Sequence, residues 1–300
     1  MPILTTPQTA SSLHGHDGSA RIGPVHEDRQ REGVYYADAR HSAKETLVSV
    51  DQLQRDGLAG PFELADKTAL DAARDAVFEF KALRRQQLLA AKKAGGDNST
   101  YSNPLIDRHL DVGVIRRLYY DANVQSAVAE LLGEDLYIWR SNFFVKSDGT
   151  GQNKWHHDRH FENGDAALDL YDTSNHFSIT MALTDIGMDE GRIEYVKGSH
   201  QPIAGFDRDI PRHIDEVPEV LQNRVTPLPL ERGQFVLFHA ALLHRSLAFG
   251  EGNRRVSMAA RLLRAGTKIP PYGSANPAGG AAARAEPIMY YRDSGLMRLN

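Results

Sequence analysis

Apolar residues in the first half of the chain recur every three or four positions, which is the spacing of one face of a helix. The clearest run begins at Leu70, with Asp66 as a candidate cap and the pair Gly95-Gly96 as its end. Weaker runs of the same kind predict a helix over residues 48–58 and one or two helices over residues 111–132. The first part of the chain is therefore predicted to be helical.

Beyond Gly133 the pattern changes to short segments that are rich in aromatic and β-branched residues and partly alternate between apolar and polar. The predicted strands cover residues 136–146, 155–161, 177–183, 192–196, 233–238 and 255–262. Helices followed by many short strands are typical of an α+β fold with an antiparallel barrel or jelly roll.

The two ends of the chain differ from this pattern. Residues 1–45 are polar and without a sustained period, so we predict a flexible N-terminal arm. A chain of 300 residues with 41% hydrophobic content can bury a large core, and we predict one domain over residues 46–265. Residues 266–300 are rich in Pro, Gly and Ala and are predicted to form an extension that packs on the same domain.

Charge and composition narrow the classes of function. The net charge is -4, so no electrostatic footprint for nucleic acid or for an anionic membrane is visible. The chain has no cysteine, which excludes disulfides, thiolate metal sites and a cysteine nucleophile. It also has no recognisable signal peptide and no apolar run of about 18 residues, and we expect a cytoplasmic protein.

The segment from Trp155 to Phe161 holds half of a candidate metal site. On a strand, His156 and Asp158 point to the same face while His157 points away. A histidine and a carboxylate on one face, completed by a distant second histidine, form the two-histidine, one-carboxylate triad that holds Fe(II).

A candidate for the second histidine is His244, which lies 86 residues beyond Asp158 at the end of a predicted apolar strand. Arg255 follows 11 residues later and opens the last predicted strand. A guanidinium there can bind the distal carboxylate of a dicarboxylate cosubstrate through two parallel hydrogen bonds while the other end of the cosubstrate chelates iron. The hydroxyl of Ser246 either bonds this cosubstrate or caps a turn.

This constellation resembles the phytanoyl-CoA dioxygenase family of Fe(II)/2-oxoglutarate oxygenases. Residues 191–200 are similar to the family's Gly-x-Leu-x-Phe-x-Pro-Gly-Ser-His segment, and residues 233–238 are similar to its Gly-Asp-x-x-x-Phe strand. The resemblance covers residues 48 to 264. It implies a double-stranded β-helix with an N-terminal helical layer, and it implies Fe(II), 2-oxoglutarate and O2 as the metal and cosubstrates.

Within that family, residues 107–110, 139–144 and 255–261 are most similar to the syringomycin-type non-haem iron halogenases and their hydroxylating relatives, which act on amino acids. The similarity implies that Arg255 binds the distal carboxylate of 2-oxoglutarate and that Arg261 lies near the iron. By the same similarity, Asn153 makes a further cosubstrate contact. The halogenases have Ala or Gly in place of Asp158, which leaves a coordination position for halide, so hydroxylation is the reaction expected here.

The expected substrate is a small metabolite, an amino acid or an amino-acid derivative, whose unactivated C–H bond is hydroxylated. We predict that an acidic segment with Glu162, Asp165, Asp169 and Asp172 helps to receive its amine. A substrate tethered to a carrier protein remains open, as do desaturation and cyclisation on the same iron. A non-catalytic metal-binding β-barrel is the alternative from another class.

Overall fold

Two antiparallel sheets form the framework around the site. The computed structural model describes residues 49–95, 105–133, 136–158, 176–189, 191–204, 213–250, 254–264 and 297–298. Its strands are β1 (Leu58–Glu63), β2 (Leu136–Lys146), β3 (Trp155–His156), β4 (His176–Ala182), β5 (Ile193–Val196), β6 (His213–Ile214), β7 (Val225–Leu228), β8 (Gln234–His239), β9 (His244–Ser246), β10 (Arg255–Arg264) and β11 (Met297–Arg298). The large sheet has the order β1-β8-β4-β10-β2-β11 and the small sheet the order β6-β3-β9-β5-β7.

Most of the helices lie before β2 in the chain. They are α1 (49–56), α2 (Leu70–Lys93), α3 (Gly113–Tyr119) and α4 (Ala122–Leu132), and the short α5 (Glu219–Gln222) lies between β6 and β7. Asp121 caps α4 because its carboxylate accepts hydrogen bonds from the N–H groups of Asn123 and Val124. The same carboxylate accepts the N–H groups of Ala65 and Asp66, so it also fixes the chain that leads into α2.

Strand β10 separates the hydrophobic core from the site. Its residues Val256, Met258, Ala260 and Leu262 pack in the main core together with apolar residues of α2, α3 and α4. The alternate residues Arg255, Ser257, Ala259 and Arg261 line a cleft on the other face. The strand is buried over almost its whole length, so its polar residues must be satisfied inside the protein.

The predicted α+β architecture is confirmed, and it is a double-stranded β-helix with helices before it in the chain. The structure shows the long helix as α2, which begins at Leu70 rather than near Asp66. The carboxylate of Asp66 accepts the N–H of Thr68 in the turn before the helix, and Ala69 is the N-cap. The segment over residues 111–132 forms two helices, which are divided at Asp121.

Several element boundaries were wrong. The strand predicted over residues 155–161 contains only Trp155 and His156 in β3, and Asp158 lies in a bend after it, while residues 159–161 fall outside the described residues. His244 does not end the preceding strand but begins β9, after a turn at residues 240–241. The predicted helix over residues 48–58 ends at residue 56, and β1 starts at Leu58. The short elements β1, β6, β7, α5 and β11 were not predicted.

The predicted arm over residues 1–45 and nearly all of the predicted C-terminal extension lie outside the described residues. Near the end of that extension, β11 pairs with β2 and so adds an edge strand to the large sheet. All described residues fall within one folding unit that spans residues 40–300, and the predicted domain boundaries stay predictions. No helix in the described ranges is long and apolar enough to cross a membrane.

Candidate metal centre

A cleft that is open to solvent lies between the two sheets. Its walls combine apolar side chains of both sheets with polar ones. The polar side chains are Asn153, His156, Asp158, Thr180, Tyr195, His244, Arg245, Ser246, Arg255, Ser257 and Arg261. Every residue that the sequence suggested as a metal ligand or cosubstrate contact is in this set.

Three of these side chains form a cluster that can hold a metal ion. His156, Asp158 and His244 each place one ligand atom so that the three atoms lie within 4.8 Å of one another. The pairing of β3 with β9 sets His156 directly opposite His244, with ring centroids 4.3 Å apart. A backbone hydrogen bond brings Asp158 close to the two histidines. Its N–H donates over 2.7 Å to the carbonyl oxygen of Ala240, which lies four residues before His244 in the chain. Within the described ranges no other group of three His, Cys, Asp or Glu side chains is this close.

Both histidines present the same ring nitrogen to the cluster. Nδ1 of His156 lies 2.8 Å from the carbonyl oxygen of Lys154, and Nδ1 of His244 lies 2.9 Å from that of Leu242. A carbonyl oxygen can only accept, so each Nδ1 carries the proton and each Nε2 keeps a lone pair for a metal. Burial, and then the neighbouring His244, lower the pKa of His156 to about 3, so its imidazole is neutral as a metal ligand must be.

Asp158 is oriented by two buried donors of the large sheet. Nη2 of Arg261 lies 2.5 Å from its Oδ1, and Oγ of Ser178 lies 2.7 Å from its Oδ2. Arg261 on β10 and Ser178 on β4 are direct cross-strand partners, so two adjacent residues of the large sheet donate to the same carboxylate. Each carboxylate oxygen has a second lone-pair site, which leaves Asp158 able to bind a metal. The carboxylate is thus fixed in direction, as metal-binding carboxylates usually are.

The donor set fits one class of metal. Two imidazole nitrogens and one carboxylate oxygen on one side of an ion are the ligands of non-haem Fe(II) oxygenases, and they leave further coordination positions open. Nε2 of His244 lies 3.7 Å from Oδ1 of Asp158, a separation that a bound ion can bridge.

Arg255 is a buried cation in the same cleft, with 4% of its surface exposed. Its Nη1 donates to the carbonyl oxygen of Gly191 over 2.6 Å and its Nη2 to Oγ of Ser257 over 3.4 Å, while Nε has no partner among the described residues. Burial lowers the pKa of Arg255 to about 10, and no described carboxylate opposes this effect. A buried guanidinium with an unused donor is stabilised when an anion binds to it. The distal carboxylate of a dicarboxylate cosubstrate has the matching geometry.

Ser246 and Asn153 also border the cleft, as expected. Ser246 is buried, and its carbonyl oxygen accepts the N–H of Asn153 over 2.8 Å, so the two residues are held side by side. The hydrogen bonds of Ser246 and Asn153 do not show whether their side chains contact the cosubstrate or only stabilise the local turn. Their assignment to the cosubstrate stays a prediction.

The other histidines near the site do not join the cluster. His157 and His176 are buried but do not line the cleft. The rings of His200 and His239 stack with centroids 4.6 Å apart, and Nε2 of His200 lies 3.1 Å from the carbonyl oxygen of Gln54. The acidic residues between 162 and 172, proposed to receive an amine, lie outside the described residues.

Sequence reasoning missed two residues that shape the site, Ser178 and Ser257. Both lie in predicted strands whose other residues are mostly apolar and buried. A strand buried on both faces is expected to read as a nearly continuous apolar run. A serine that interrupts such a run was the available signal for a polar contact inside the protein.

Comparisons with known proteins agree with this geometry. Residues 53–256 match the family model described as Phytanoyl-CoA dioxygenase (PhyH). No curated protein matches the sequence. Similar solved structures are CytC3 with Fe(II) and α-ketoglutarate (23% identity, 72% of this chain and 76% of that chain, TM-score 0.51) and the α-ketoglutarate-dependent carbocyclase SnoK (19% identity, 73% and 84%, TM-score 0.54). The epimerase SnoN is 18% identical over 86% of this chain and 99% of that chain, with a TM-score of 0.53, and at such identities the likeness concerns the fold.

Proposed function

This chain belongs to the phytanoyl-CoA dioxygenase family, and from that premise we propose that it hydroxylates an unactivated C–H bond of a small metabolite. Its metal is Fe(II) and its cosubstrate is 2-oxoglutarate. The substrate that we propose is an amino acid or an amino-acid derivative.

Five polar side chains of the cleft have a proposed part in holding the iron and the cosubstrate. Nε2 of His156, Nε2 of His244 and the carboxylate of Asp158 would bind the iron. Arg255 would bind the distal carboxylate of 2-oxoglutarate, with Ser257 at its side. When bound, the iron would activate O2 as the oxidant, and 2-oxoglutarate, as it is converted to succinate and CO2, would supply two of the four electrons that O2 takes up; the protein supplies position and exclusion of water.

The apolar wall of the cleft performs that exclusion. Five of its side chains, contributed by both sheets and by the loop before β9, belong to one buried cluster: Leu58, Leu228, Val236, Phe238 and Leu242. With cosubstrate and substrate bound, these groups would limit the access of water to the metal side of the cleft. An apolar wall with a few convergent polar groups is the usual form of a small-molecule site.

The observation that carries hydroxylation is the carboxylate of Asp158. An iron bound by His156, Asp158, His244 and a chelating 2-oxoglutarate would have one of about six positions left for oxygen and none for a halide. Asp158 is held in place by Arg261 and Ser178, so it is not a loose side chain that could give up this position. An iron held by these three residues would therefore favour hydroxylation over halide transfer.

The amino-acid assignment rests on the sequence. The segment from Glu162 to Asp172 carries four acidic residues and lies in the sequence between Asp158 and β4. An amine on the substrate would meet a complementary charge there. A substrate tethered to a carrier protein would present the same amine, and both forms belong in the test.

The experiment is a substrate screen with Fe(II), 2-oxoglutarate and O2, in which products are detected by mass spectrometry and succinate is measured in parallel. A mass gain of one oxygen atom on an amino acid, with one succinate per product, is the expected result. Loss of two hydrogens would instead assign desaturation or ring closure. Absence of succinate with every free and tethered substrate would favour a non-catalytic binding protein.

A further inference from the structure

Lys146 is a second cation beside Arg255. The two residues are direct cross-strand partners on β2 and β10, so their side chains leave the large sheet on the same face. On β10, that face is the one that lines the cleft at Arg255 and Ser257. Two like charges directly opposite each other destabilise a sheet, so this pair calls for an explanation.

Neither cation has an acidic partner among the described residues. Lys146 is 5% exposed and Arg255 4% exposed, and no described carboxylate forms an ion pair with either. Buried charges are normally paired, because each unpaired charge loses its hydration without compensation. The described structure therefore has a concentrated positive charge at this side of the cleft.

Lys146 also connects the loops that surround Arg255. Its Nζ donates to the carbonyl oxygen of Gly151 over 2.8 Å and to that of Leu247 over 2.7 Å. The loop with Gly151 leads to Asn153, and the loop with Leu247 follows Ser246. Both Asn153 and Ser246 border the cleft. An ammonium has three donors, and the third has no partner among the described residues.

We propose that Lys146 is a positioning residue of the cosubstrate site, whose charge, together with Arg255, selects a 2-oxo dicarboxylate over a 2-oxo monocarboxylate. The inference rests on the proposed function, because it concerns the cosubstrate of the same iron site. Arg255 contacts the distal carboxylate directly, while Lys146 acts by its charge and by holding the two loops. Without an anion the two cations repel each other, and a distal carboxylate removes that repulsion when it binds.

A proton exchange follows from this arrangement. Burial, and then the charge of Arg255, lower the pKa of Lys146 to about 8. The neighbouring charges are Arg192, which directly precedes β5, and Arg245 on β9, and both form ion pairs with the carboxylate of Glu194. A carboxylate beside Lys146 favours the charged ammonium and raises its pKa. Binding of the dicarboxylate near pH 8.5 should therefore take up a proton, and affinity should fall as the pH rises through this range.

The test is isothermal titration calorimetry of the full chain loaded with Ni(II), titrated with 2-oxoglutarate and with 2-oxopentanoate. Both ligands present the same 2-oxo acid to the metal, so differences between them report on the distal carboxylate alone. Heats measured at pH 8.5 in buffers of different ionisation enthalpy give the protons taken up by each ligand. In wild-type protein, 2-oxoglutarate should take up a larger fraction of a proton than 2-oxopentanoate.

The variants Lys146→Met and Lys146→Gln extend the test, with Arg254→Met as the control on the exposed side of the same strand end. Both Lys146 variants should bind 2-oxoglutarate about tenfold more weakly, keep their affinity for 2-oxopentanoate within twofold, and lose the extra proton uptake. Equal weakening of both ligands would assign Lys146 a purely structural role and overturn the proposal. Equal proton uptake by both ligands in wild-type protein would overturn it even if the variants fail to fold. No binding of 2-oxoglutarate to wild-type protein would instead contradict the proposed function.

Discussion

Arg261 and Asp158 form a buried ion pair, with Nη2 2.5 Å from Oδ1 and with side-chain exposures of 6% and 2%. The pair links β10 of the large sheet to the bend after β3, so the carboxylate of the metal cluster is fixed from across the cleft. Breaking a buried pair by removing one partner typically costs about 3–5 kcal/mol, because the other charge stays buried. The pair therefore bears on both stability and metal binding.

Arg261→Met should weaken metal binding. Without the guanidinium, burial favours the protonated form of Asp158, and protons then compete with the metal. We expect a loss of about 10–100-fold in Fe(II) or Co(II) affinity, the effect usual for groups that support a metal ligand. Arg264→Met is the matched control, because Arg264 ends the same strand and its guanidinium lies over the ring of Phe177, 5.7 Å from the centroid. Equal metal affinities in the two variants would contradict this role of Arg261.

The sequence predicted which side chains come together in the candidate site better than it predicted the path of the chain through that site. His156 and Asp158 were placed together by the alternation of a strand, yet β3 ends at His156 and Asp158 lies in a bend. The two still converge, because the N–H of Asp158 bonds to Ala240, a contact between distant residues that no local pattern encodes. Residue types suggested the candidate ligands, whereas tertiary hydrogen bonds determine how the backbone presents them.

Short strands were the main part of the fold that the sequence did not reveal. Strand β1 contains the pair Gly60-Pro61, which is typical of a turn, and its pairing shifts between Ala59 and Phe62. It is a strand because β8 pairs with it. Strands β3, β6 and β11 have two residues each, too few for any period. Long periodic elements such as α2 and β2 were predicted because their own sequence determines them.

Arg255→Leu should raise the requirement for 2-oxoglutarate while sparing the metal. The distal carboxylate would lose its charged partner in a buried place, a change of about 2–5 kcal/mol in binding free energy. Calorimetric titration with 2-oxoglutarate measures the loss, and metal titration checks that the iron site is intact. Arg254→Leu is the control, because Arg254 is exposed and its guanidinium lies 5.1 Å from the ring centroid of Phe78. If Arg254→Leu were the damaging change, the observed register of β10 would not describe the protein in solution.

Gly57→Ala should destabilise the fold. Gly57 has a φ of +82°, and an added Cβ would lie 2.4 Å from Nδ1 of His200, whose ring is stacked on His239. Strain and clash together should lower the free energy of unfolding by about 2–5 kcal/mol, which chemical denaturation can measure. Gly95→Ala is the control, since Gly95 has a φ of +70° with nothing within 4 Å of the added atom. A loss no larger at Gly57 than at Gly95 would show that His200 can move aside.

Asp158→Gly should remove most hydroxylation without creating an efficient halogenase. The change removes an anionic ligand and opens a position that chloride can enter, and the loss of activity should exceed the roughly 10–100-fold brought by loss of a supporting group. Product analysis in high chloride measures both outcomes. Wild-type protein should hydroxylate and not chlorinate under the same conditions. Full hydroxylation by Asp158→Gly, or chlorination by wild-type protein, would remove Asp158 from the metal site.

The metal centre itself is tested most directly by anaerobic spectroscopy with Fe(II) and 2-oxoglutarate. Wild-type protein should develop a weak visible metal-to-ligand charge-transfer band, because the cosubstrate chelates an iron held by His156, Asp158 and His244. His244→Ala removes one of the three ligands and should abolish the band. A band of unchanged intensity in His244→Ala, or no band in wild-type protein, would contradict the assignment of this cluster as the iron site.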